Sequence, residues 1–292
     1  MLRRTDAARN PYTLPASFTA QRSDPPPTPQ KSGQSAPELH QGIHSDSAEP
    51  GHAAVRANES VLRMTSATKI ATYNIHGAIG RDGVFDPERV GAVLGEIDAG
   101  VFALQEVQTG RTGRTLIHDL RDRLGADAIS GVTLLRNDAD FGNAILTRYP
   151  VRSVERIDLS VQPHEPRGAL DVVLDTGFTE LRVVATHLGL WPYERRRQVR
   201  RLLAAIAVGP DMPTVLVGDI NEWFLWGRPL RWLHAQFQRT PAPATFPAHR
   251  PIFALDRLWV RPRGILQRLG VHASALARVA SDHLPLVATL RW

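Results

Sequence analysis

Polar side chains follow or open several apolar runs of this 292-residue sequence. In layered α/β proteins the ends of neighbouring strands meet along one rim, so side chains placed there converge in space. The residues in such positions are carboxylates, amides and imidazoles: Asn74, Glu106, Asn143, His187, Asp219, Asn221, Asp256, Asp282 and His283. Each residue type alone is an ordinary turn former or helix cap. Seven such run ends in one chain indicate a shared site.

These residue types fit the hydrolysis of a phosphate ester. A hard cation such as Mg²⁺ or Mn²⁺, held by one or two carboxylates, neutralises charge on phosphoryl oxygens. An Asp near an Asn, as in Asp219 and Asn221, can orient and deprotonate a water molecule. An Asp paired with a His can fix the imidazole tautomer for proton transfer or for hydrogen bonding to the transition state.

Composition excludes several other chemistries. The chain has no cysteine, which removes disulfides, thiolate metal sites, iron–sulfur clusters and a Cys nucleophile. It has no G-x-x-x-x-G-K-[ST] phosphate loop and no G-x-S-x-G nucleophile motif. No stretch of 18 apolar residues is present, so we predict no transmembrane segment. The N-terminus lacks the apolar core of a secretory signal, and we expect a cytoplasmic protein.

The elements that must position the polar residues are mostly strands. Helices are predicted from Pro87 through Ile97, from Arg114 to about Leu124, and from Pro192 onward. Strands outnumber helices and many follow one another directly, which favours an α+β layered sandwich over a strict βαβ repeat. The predicted strands lie near 68–75, 101–107, 128–135, 142–147, 151–159, 168–175, 181–187, 214–218, 255–260 and 285–290.

The chain divides by composition at about residue 66. Residues 1–66 hold 8 of the 22 prolines, show no helical or strand period, and are predicted to be a disordered, proline-rich tail. Residues 67–292 are predicted to form one catalytic domain. The net charge is +6, of which the tail carries one unit, so the domain favours an anionic partner.

The order and spacing of the motifs resemble the endonuclease/exonuclease/phosphatase superfamily, in particular its small bacterial branch. The segments that carry the resemblance are T-Y-N-I-H-G at 72–77, L-Q-E-V at 104–107, G-N-A-I-L at 142–146, T-H-L at 186–188, G-D-I-N at 218–221, L-D-R-L at 255–258 and S-D-H-L-P at 281–285. The resemblance implies a four-layered α/β sandwich, in which two packed mixed β-sheets are flanked by helices.

The resemblance also implies roles for individual residues. The implied metal ligands are Glu106, Asn74 and Asp282, holding Mg²⁺ or Mn²⁺. The implied substrate-binding residues are Arg167 and Asn143. The implied catalytic residues are His187, Asp219, Asn221, Asp256 and His283, with His283 acting as general base or as transition-state stabiliser.

The resulting hypothesis is a divalent-metal-dependent phosphoesterase, specifically a phosphodiesterase, in which water attacks phosphorus directly. The alternatives are a DNA or RNA nuclease and a catalytically silent binding module. The substrate is a phospholipid headgroup, a nucleic acid or a small phosphodiester, and no obligate protein partner is evident. The first motif reads Asn74-Ile75-His76, which argues against abasic-site repair.

Two further clusters have competing interpretations. Arg195, Arg196 and Arg197, with Arg200 and Arg201, are either a solvated helix face or a surface that attracts anions. The four residues 223–226 (W-F-L-W) either pack against the next helix, stack on a base or enter a lipid interface.

Overall fold

The computed structural model describes residues 67–110, 116–136 and 139–292. The predicted tail, residues 1–66, lies outside the described residues. The described strands are β1 (Ala67–Asn74), β2 (Val101–Gly110), β3 (Asp127–Arg136), β4 (Ala139–Thr147), β5 (Val151–Asp158), β6 (Gly168–Asp175), β7 (Glu180–His187), β8 (Thr214–Asp219), β9 (Asp256–Arg261), β10 (Leu266–Val271) and β11 (Leu286–Arg291). The helices are α1 (Pro87–Ile97), α2 (Leu116–Leu124), α3 (Pro192–Val208), α4 (Arg228–Phe237) and α5 (Ala277–Ala280).

The strands form two mixed sheets. The first sheet has six strands in the order β10-β11-β1-β2-β4-β3, and the second has five in the order β5-β6-β7-β8-β9. Each sheet contains one parallel pair, β1 with β2 and β7 with β8, among antiparallel neighbours. The predicted pair of mixed sheets is thereby confirmed.

Four layers follow from where the apolar residues lie. One buried cluster joins the facing sides of the two sheets, with Ile70 and Val101 from the first and Val183 and Val215 from the second. A second cluster packs α1 and α2 on the outer side of the first sheet. A third packs α3 and α4 on the outer side of the second sheet. The arrangement is helix, sheet, sheet, helix, as the resemblance implies.

The chain sequence accounts for the local elements that lead to the site. Asp86 caps α1 by accepting a hydrogen bond from the backbone N–H of Arg89. Pro87 occupies the first turn, where a backbone N–H would have no acceptor within the helix, so its missing N–H costs nothing. Strand β8 is buried over its whole length and is apolar until Gly218 and Asp219. Asp219 is the only charged residue of β8 and its last residue, so the apolar run stops where the polar residues converge.

Three elements were not predicted from the sequence: β10, α4 and the single turn α5. One side chain also contradicts the interpretation of the arginine run as a solvated face. Arg195 is 1% exposed, because it points between the loops that follow β7 and β8. Among the described residues, no helix is long and apolar enough to cross a membrane.

Candidate active site

The register of the second sheet places three of the predicted residues side by side. His187, the last residue of β7, pairs with Asp219, the last residue of β8, across the parallel ladder. Asp219 in turn pairs with Asp256, the first residue of β9, across the antiparallel ladder. All three side chains are buried, with at most 5% of each residue exposed. The convergence of polar strand ends is therefore a consequence of strand register.

Glu106 reaches the same region through an irregularity in the first sheet. The pairing of β2 with β4 shifts register between Leu104 and Val107, and Glu106 has a φ of 54°, in the left-handed region. The preceding Gln105 is fully buried and is held by Thr72, whose hydroxyl donates to its Oε1. The bulge leaves Glu106 outside the pairing of β2 with β4, and its side chain is half-buried beside Asn74 at the end of β1.

Asn74 links the two sheets. Its Nδ2 donates to Oε1 of Glu106 at 3.1 Å and lies 3.2 Å from Oδ2 of Asp219. Its Oδ1 accepts a hydrogen bond from the backbone N–H of His76. The amide therefore spaces two carboxylates, one from each sheet, that would otherwise repel each other.

His283 forms a buried pair with Asp256. Nδ1 of His283 lies 2.8 Å from Oδ2 of Asp256, and Thr245 donates its hydroxyl to the same oxygen. On the other side, Nε2 of His283 lies 3.8 Å from Oδ2 of Asp219. The imidazole thus stands between two carboxylates, and the ring of Phe246 packs on it at 4.8 Å.

The two carboxylates determine the charge of the imidazole. Burial alone would lower the pKa of His283, but the negative charges of Asp256 and Asp219 outweigh it and raise that pKa to about 10. Burial raises the pKa of Asp219 to about 6, against the lowering effect of the His283 charge. At neutral pH the geometry therefore holds an imidazolium between two carboxylates.

His187 is held in the opposite protonation state. Burial, followed by the charges of Arg167 and His283, lowers the pKa of His187 well below its ordinary value, so the ring is neutral at pH 7. Nη1 of Arg167 lies 3.2 Å from Nδ1, and Oδ2 of Asp219 lies 3.5 Å from Nε2. A neutral ring that carries its proton on Nε2 accepts from Arg167 at Nδ1 and turns its N–H toward the Asp219 carboxylate.

The turn after β8 depends on two special backbone positions. Gly218 has a φ of 144°, and a Cβ there would lie 1.8 Å from the carbonyl oxygen of Thr186. Asn221 has a φ of 53°, and its Nδ2 donates to the carbonyl of Leu188 at 2.9 Å while lying 3.1 Å from Nε2 of His187. Oδ1 of Asp219 accepts from the N–H of Asn221, which closes the turn.

Arg167 and Asn143 lie on the other side of His187. Arg167 precedes β6, its Nη2 donates to Glu165 at 3.0 Å, and its Nε is buried with no hydrogen-bond partner. Asn143 donates to the carbonyl of Gly168 at 3.0 Å. Both residues line a narrow cleft with Glu106 and His187, and Arg167 also borders an adjoining cavity of about 220 Å³.

Asp282 occupies the edge of the site. Its side chain is 39% exposed, and Oδ1 lies 3.9 Å from Nδ1 of His76. The other nine predicted residues hydrogen-bond to one another around Asp219 or line the cleft beside His187. Asp282 is connected to them through Ser281, whose hydroxyl donates to its Oδ1.

Sequence reasoning did not assign roles to Ser281 and Glu165. The Ser281 hydroxyl donates to the carbonyl of Asn74 and accepts from the N–H of His283, so it ties the last motif to the first. Glu165 pairs with Arg167. The sequence signal for Ser281 was its position directly before the Asp282-His283 pair, and the signal for Glu165 was its position two residues before Arg167.

Among the described residues one group of side chains is close enough to hold a metal ion, and the resemblance implies a second. Ligand atoms of Asp219, Asp256 and His283 lie within 4.8 Å of one another. However, Nδ1 of His283 is already engaged by Asp256, and a protonated imidazole offers no lone pair. The second group is Glu106 with Asn74 and Asp282. Its hard oxygen donors suit Mg²⁺ or Mn²⁺, although Asn74 now turns its nitrogen toward Glu106.

The chain matches one family profile and several relatives. Residues 71–283 match the Endonuclease/Exonuclease/phosphatase family. The uncharacterised protein YbhP of Escherichia coli K12 is 32% identical over 253 residues, which cover 76% of this chain and 95% of YbhP.

Solved structures of similar fold include two bacterial proteins. An endonuclease/exonuclease/phosphatase from Beutenbergia cavernae is 24% identical with a TM-score of 0.65, covering 77% of this chain and 72% of that one. The mannosyl-6-phosphatase Bt3783 of Bacteroides thetaiotaomicron is 18% identical with a TM-score of 0.62, covering 77% and 100%. At these identities the two structures establish the fold.

Proposed function

We propose that this chain, which belongs to the endonuclease/exonuclease/phosphatase family of phosphate-ester hydrolases, is a divalent-metal-dependent phosphodiesterase in which water attacks phosphorus directly. One observation carries the proposal: the Asp219 carboxylate, at the end of β8, lies within 4 Å of both His187, at the end of the adjacent strand β7, and His283, in the loop before β11. A buried carboxylate placed between a neutral and a charged imidazole suits the activation of water beside a phosphoryl group.

Asp219 is the proposed base. Its raised pKa, about 6, leaves it ionised at neutral pH yet more basic than an ordinary Asp, so it can take a proton from the attacking water. Asn221 orients the same water through its side-chain amide, which the turn after β8 holds in place.

The two imidazoles have different proposed tasks. His283 is protonated and donates from Nε2 toward a phosphoryl oxygen, while Asp256 fixes its ring through Nδ1. This favours the stabiliser role over the general-base role that the sequence left open. His187 remains neutral, and together with Arg167 it contacts the phosphoryl group from the cleft side.

The proposed metal site consists of Glu106, Asn74 and Asp282. A bound Mg²⁺ or Mn²⁺ would neutralise charge on the phosphoryl and leaving oxygens. The side-chain amide of Asn74 contacts both Glu106, a proposed metal ligand, and Asp219, the proposed base, so it sets the distance between the two carboxylates.

A nuclease is the second candidate, and the observation in its favour is the excess of positive charge, +5 over residues 67–292. A phosphate backbone would also satisfy Arg167 at the cleft. The two candidates share the chemistry and differ in the size of the substrate.

The test offers purified protein bis-p-nitrophenyl phosphate, p-nitrophenyl phosphate and supercoiled plasmid, with Mg²⁺, Mn²⁺ or EDTA. We expect hydrolysis of the diester, no turnover in EDTA, and a loss of at least about 10³-fold in Asp219→Asn and about 10²-fold in His283→Ala. Asp211→Asn is the matched control, since Asp211 is fully exposed and remote from the site.

Three results would contradict the proposal: turnover in EDTA, full activity of Asp219→Asn, or hydrolysis of the monoester alone. Nicking of plasmid with no hydrolysis of the small diester would establish the nuclease instead. The protein would be a silent binding module if it bound Mn²⁺ and phosphate analogues but turned over none of the substrates.

A further inference from the structure

Two loops beside the site expose large apolar side chains. The first follows His187, runs into the first turn of α3, and carries Leu190, Trp191 and Tyr193; the second follows Asn221 and contains Phe224, Leu225 and Trp226. These six residues, called the apolar rim below, are each more than half exposed, up to 73% for Trp226. Trp223, by contrast, packs edge-on against Phe253 at 4.8 Å and anchors the second loop. The rim is thus presented to solvent rather than packed against α4.

A buried arginine joins the two loops. Nε of Arg195 lies 3.3 Å from Oε2 of Glu222 in the second loop, and its Nη1 donates to the carbonyls of Gly189 and Leu190 in the first. Asn221 adds a further link through the carbonyl of Leu188. The loops therefore form one surface held by buried polar contacts.

The two segments that carry the rim expose charges of one sign. Segments 188–201 and 221–231 contain two acidic residues, Glu194 and Glu222, and both are buried. Glu194 accepts from Gln198 and from the N–H of Trp191, and Glu222 pairs with Arg195. The remaining charged residues of these segments are arginines that reach solvent: Arg196, Arg197, Arg200, Arg201, Arg228 and Arg231.

We propose that the apolar rim and its surrounding arginines dock the protein on an anionic phospholipid bilayer. Trp and Tyr partition to the headgroup region, Leu and Phe enter the acyl boundary, and Arg binds lipid phosphates. Two of the six rim residues are leucines, which offer no π-face for stacking on nucleic-acid bases. A second copy of the chain docked on the same surface would bring its own arginines against those of the first copy, and the like charges would repel.

The inference does not depend on the proposed hydrolysis, since docking is measured without turnover. The probe is co-sedimentation with large unilamellar vesicles of phosphatidylglycerol and phosphatidylcholine, compared with phosphatidylcholine alone. We expect binding to the anionic vesicles that weakens steeply as salt rises and is much weaker on neutral vesicles.

Variants assign the binding to the rim. Leu225→Glu should lower the partition coefficient at least about tenfold, because it places a charge where an apolar side chain enters the bilayer. Phe178→Glu is its control: Phe178 is 46% exposed in the turn before β7, at the opposite end of that strand from His187. Arg197→Glu should also weaken binding, whereas Arg268→Glu, exposed on β10 of the other sheet, should not.

Equal loss in Leu225→Glu and Phe178→Glu, or equal binding to neutral and anionic vesicles, would overturn the proposal. The proposal would also be overturned if the wild-type protein bound no vesicles but bound single-stranded RNA, or self-associated, in a way that Leu225→Glu abolished. Melting temperatures and activity on the soluble diester should match the wild type in all four variants, so a docking defect is distinguishable from misfolding or from a failed catalytic assignment.

Discussion

Nδ1 of His283 lies 2.8 Å from Oδ2 of Asp256, and both side chains are buried. The second carboxylate oxygen of Asp256, Oδ1, is buried with no hydrogen-bond partner among the described residues. A carboxylate so poorly solvated is stabilised mainly by the positive charge on the imidazole. The pair therefore favours the imidazolium, which suits a donor to a phosphoryl oxygen.

The rate of hydrolysis should depend on pH at both ends of the range. Asp219 must be ionised to accept a proton, so kcat/KM should rise with pH through about 6. His283 must be protonated to donate, so kcat/KM should fall as pH rises through about 10. Because the groups interact, the two limbs report the cluster as a whole.

Asp256→Asn tests the assignment of the alkaline limb. Removing the negative charge lowers the pKa of His283, so this limb should move to lower pH while the acidic limb persists. Asp158→Asn serves as the control, since Asp158 ends the edge strand β5 and makes no contact with His283. An alkaline limb at the same pH in Asp256→Asn would show that His283 is not the group that titrates.

Metal binding should depend on Glu106. Loss of even an outer partner of a metal ligand costs about 10–100-fold in affinity, so Glu106→Gln should weaken Mn²⁺ binding at least that much in titration calorimetry. Glu180→Gln, an exposed acid at the start of β7, should bind Mn²⁺ as the wild type does. If Mn²⁺ binding survives Glu106→Gln and is lost in His283→Ala, the ion lies among Asp219, Asp256 and His283 instead.

The turn that carries Asp219 should tolerate no side chain at Gly218. A Cβ would meet the carbonyl oxygen of Thr186 at 1.8 Å, and the φ of 144° is unfavourable for any L-residue, so Gly218→Ala should destabilise the fold by at least about 3 kcal/mol. Gly95→Ala is the contrasting variant: Gly95 lies within α1 with open space around it, and alanine there should stabilise by about 0.5–1 kcal/mol. Urea unfolding of both variants measures the difference, and a Gly218→Ala protein as stable as the wild type would contradict the backbone argument.

Much of this architecture follows from sequence patterns. The predicted strand at 168–175 has the same bounds as β6, and Pro192 begins α3 as its fixed φ favours. The polar residues that end β7 and β8 lie side by side because these two neighbours are parallel, and Asn74 at the end of β1 meets Asp219 across the two packed sheets. Apolar runs that stop at a carboxylate or imidazole are a local signal, so one sequence is enough to find them.

What the sequence did not predict depends on distant contacts. Arg195 sits in a run of arginines that resembles a solvated face, and its burial is compensated by Glu222 and by the backbone carbonyls of Gly189 and Leu190, which only the folded loops bring to it. The raised pKa of His283 needs Asp219 and Asp256 on either side of one ring, a spacing that no local motif contains. Strand β10 lies at the edge of its sheet and is partly exposed, so its sequence lacks a strong apolar alternation.

A buried ion pair in the second sheet should matter more to stability than an exposed one in the same sheet. Nε of Arg182 donates to both oxygens of Asp171, at 2.9 and 3.0 Å, and its Nη1 donates to the carbonyl of Ile206. Both residues are at most 5% exposed, so Arg182→Met leaves a carboxylate buried without a partner and should cost about 3–5 kcal/mol of unfolding free energy.

The exposed pair of Arg152 and Asp175 is the matched comparison, since it joins β5 to the end of β6 in the same sheet. Water already solvates both of its groups, so Arg152→Met should cost less than about 1 kcal/mol. Urea denaturation of the two variants measures the contrast at constant pH. Equal costs would mean that the Asp171 carboxylate finds water or another donor once Arg182 is gone, and that burial does not set the strength of this pair.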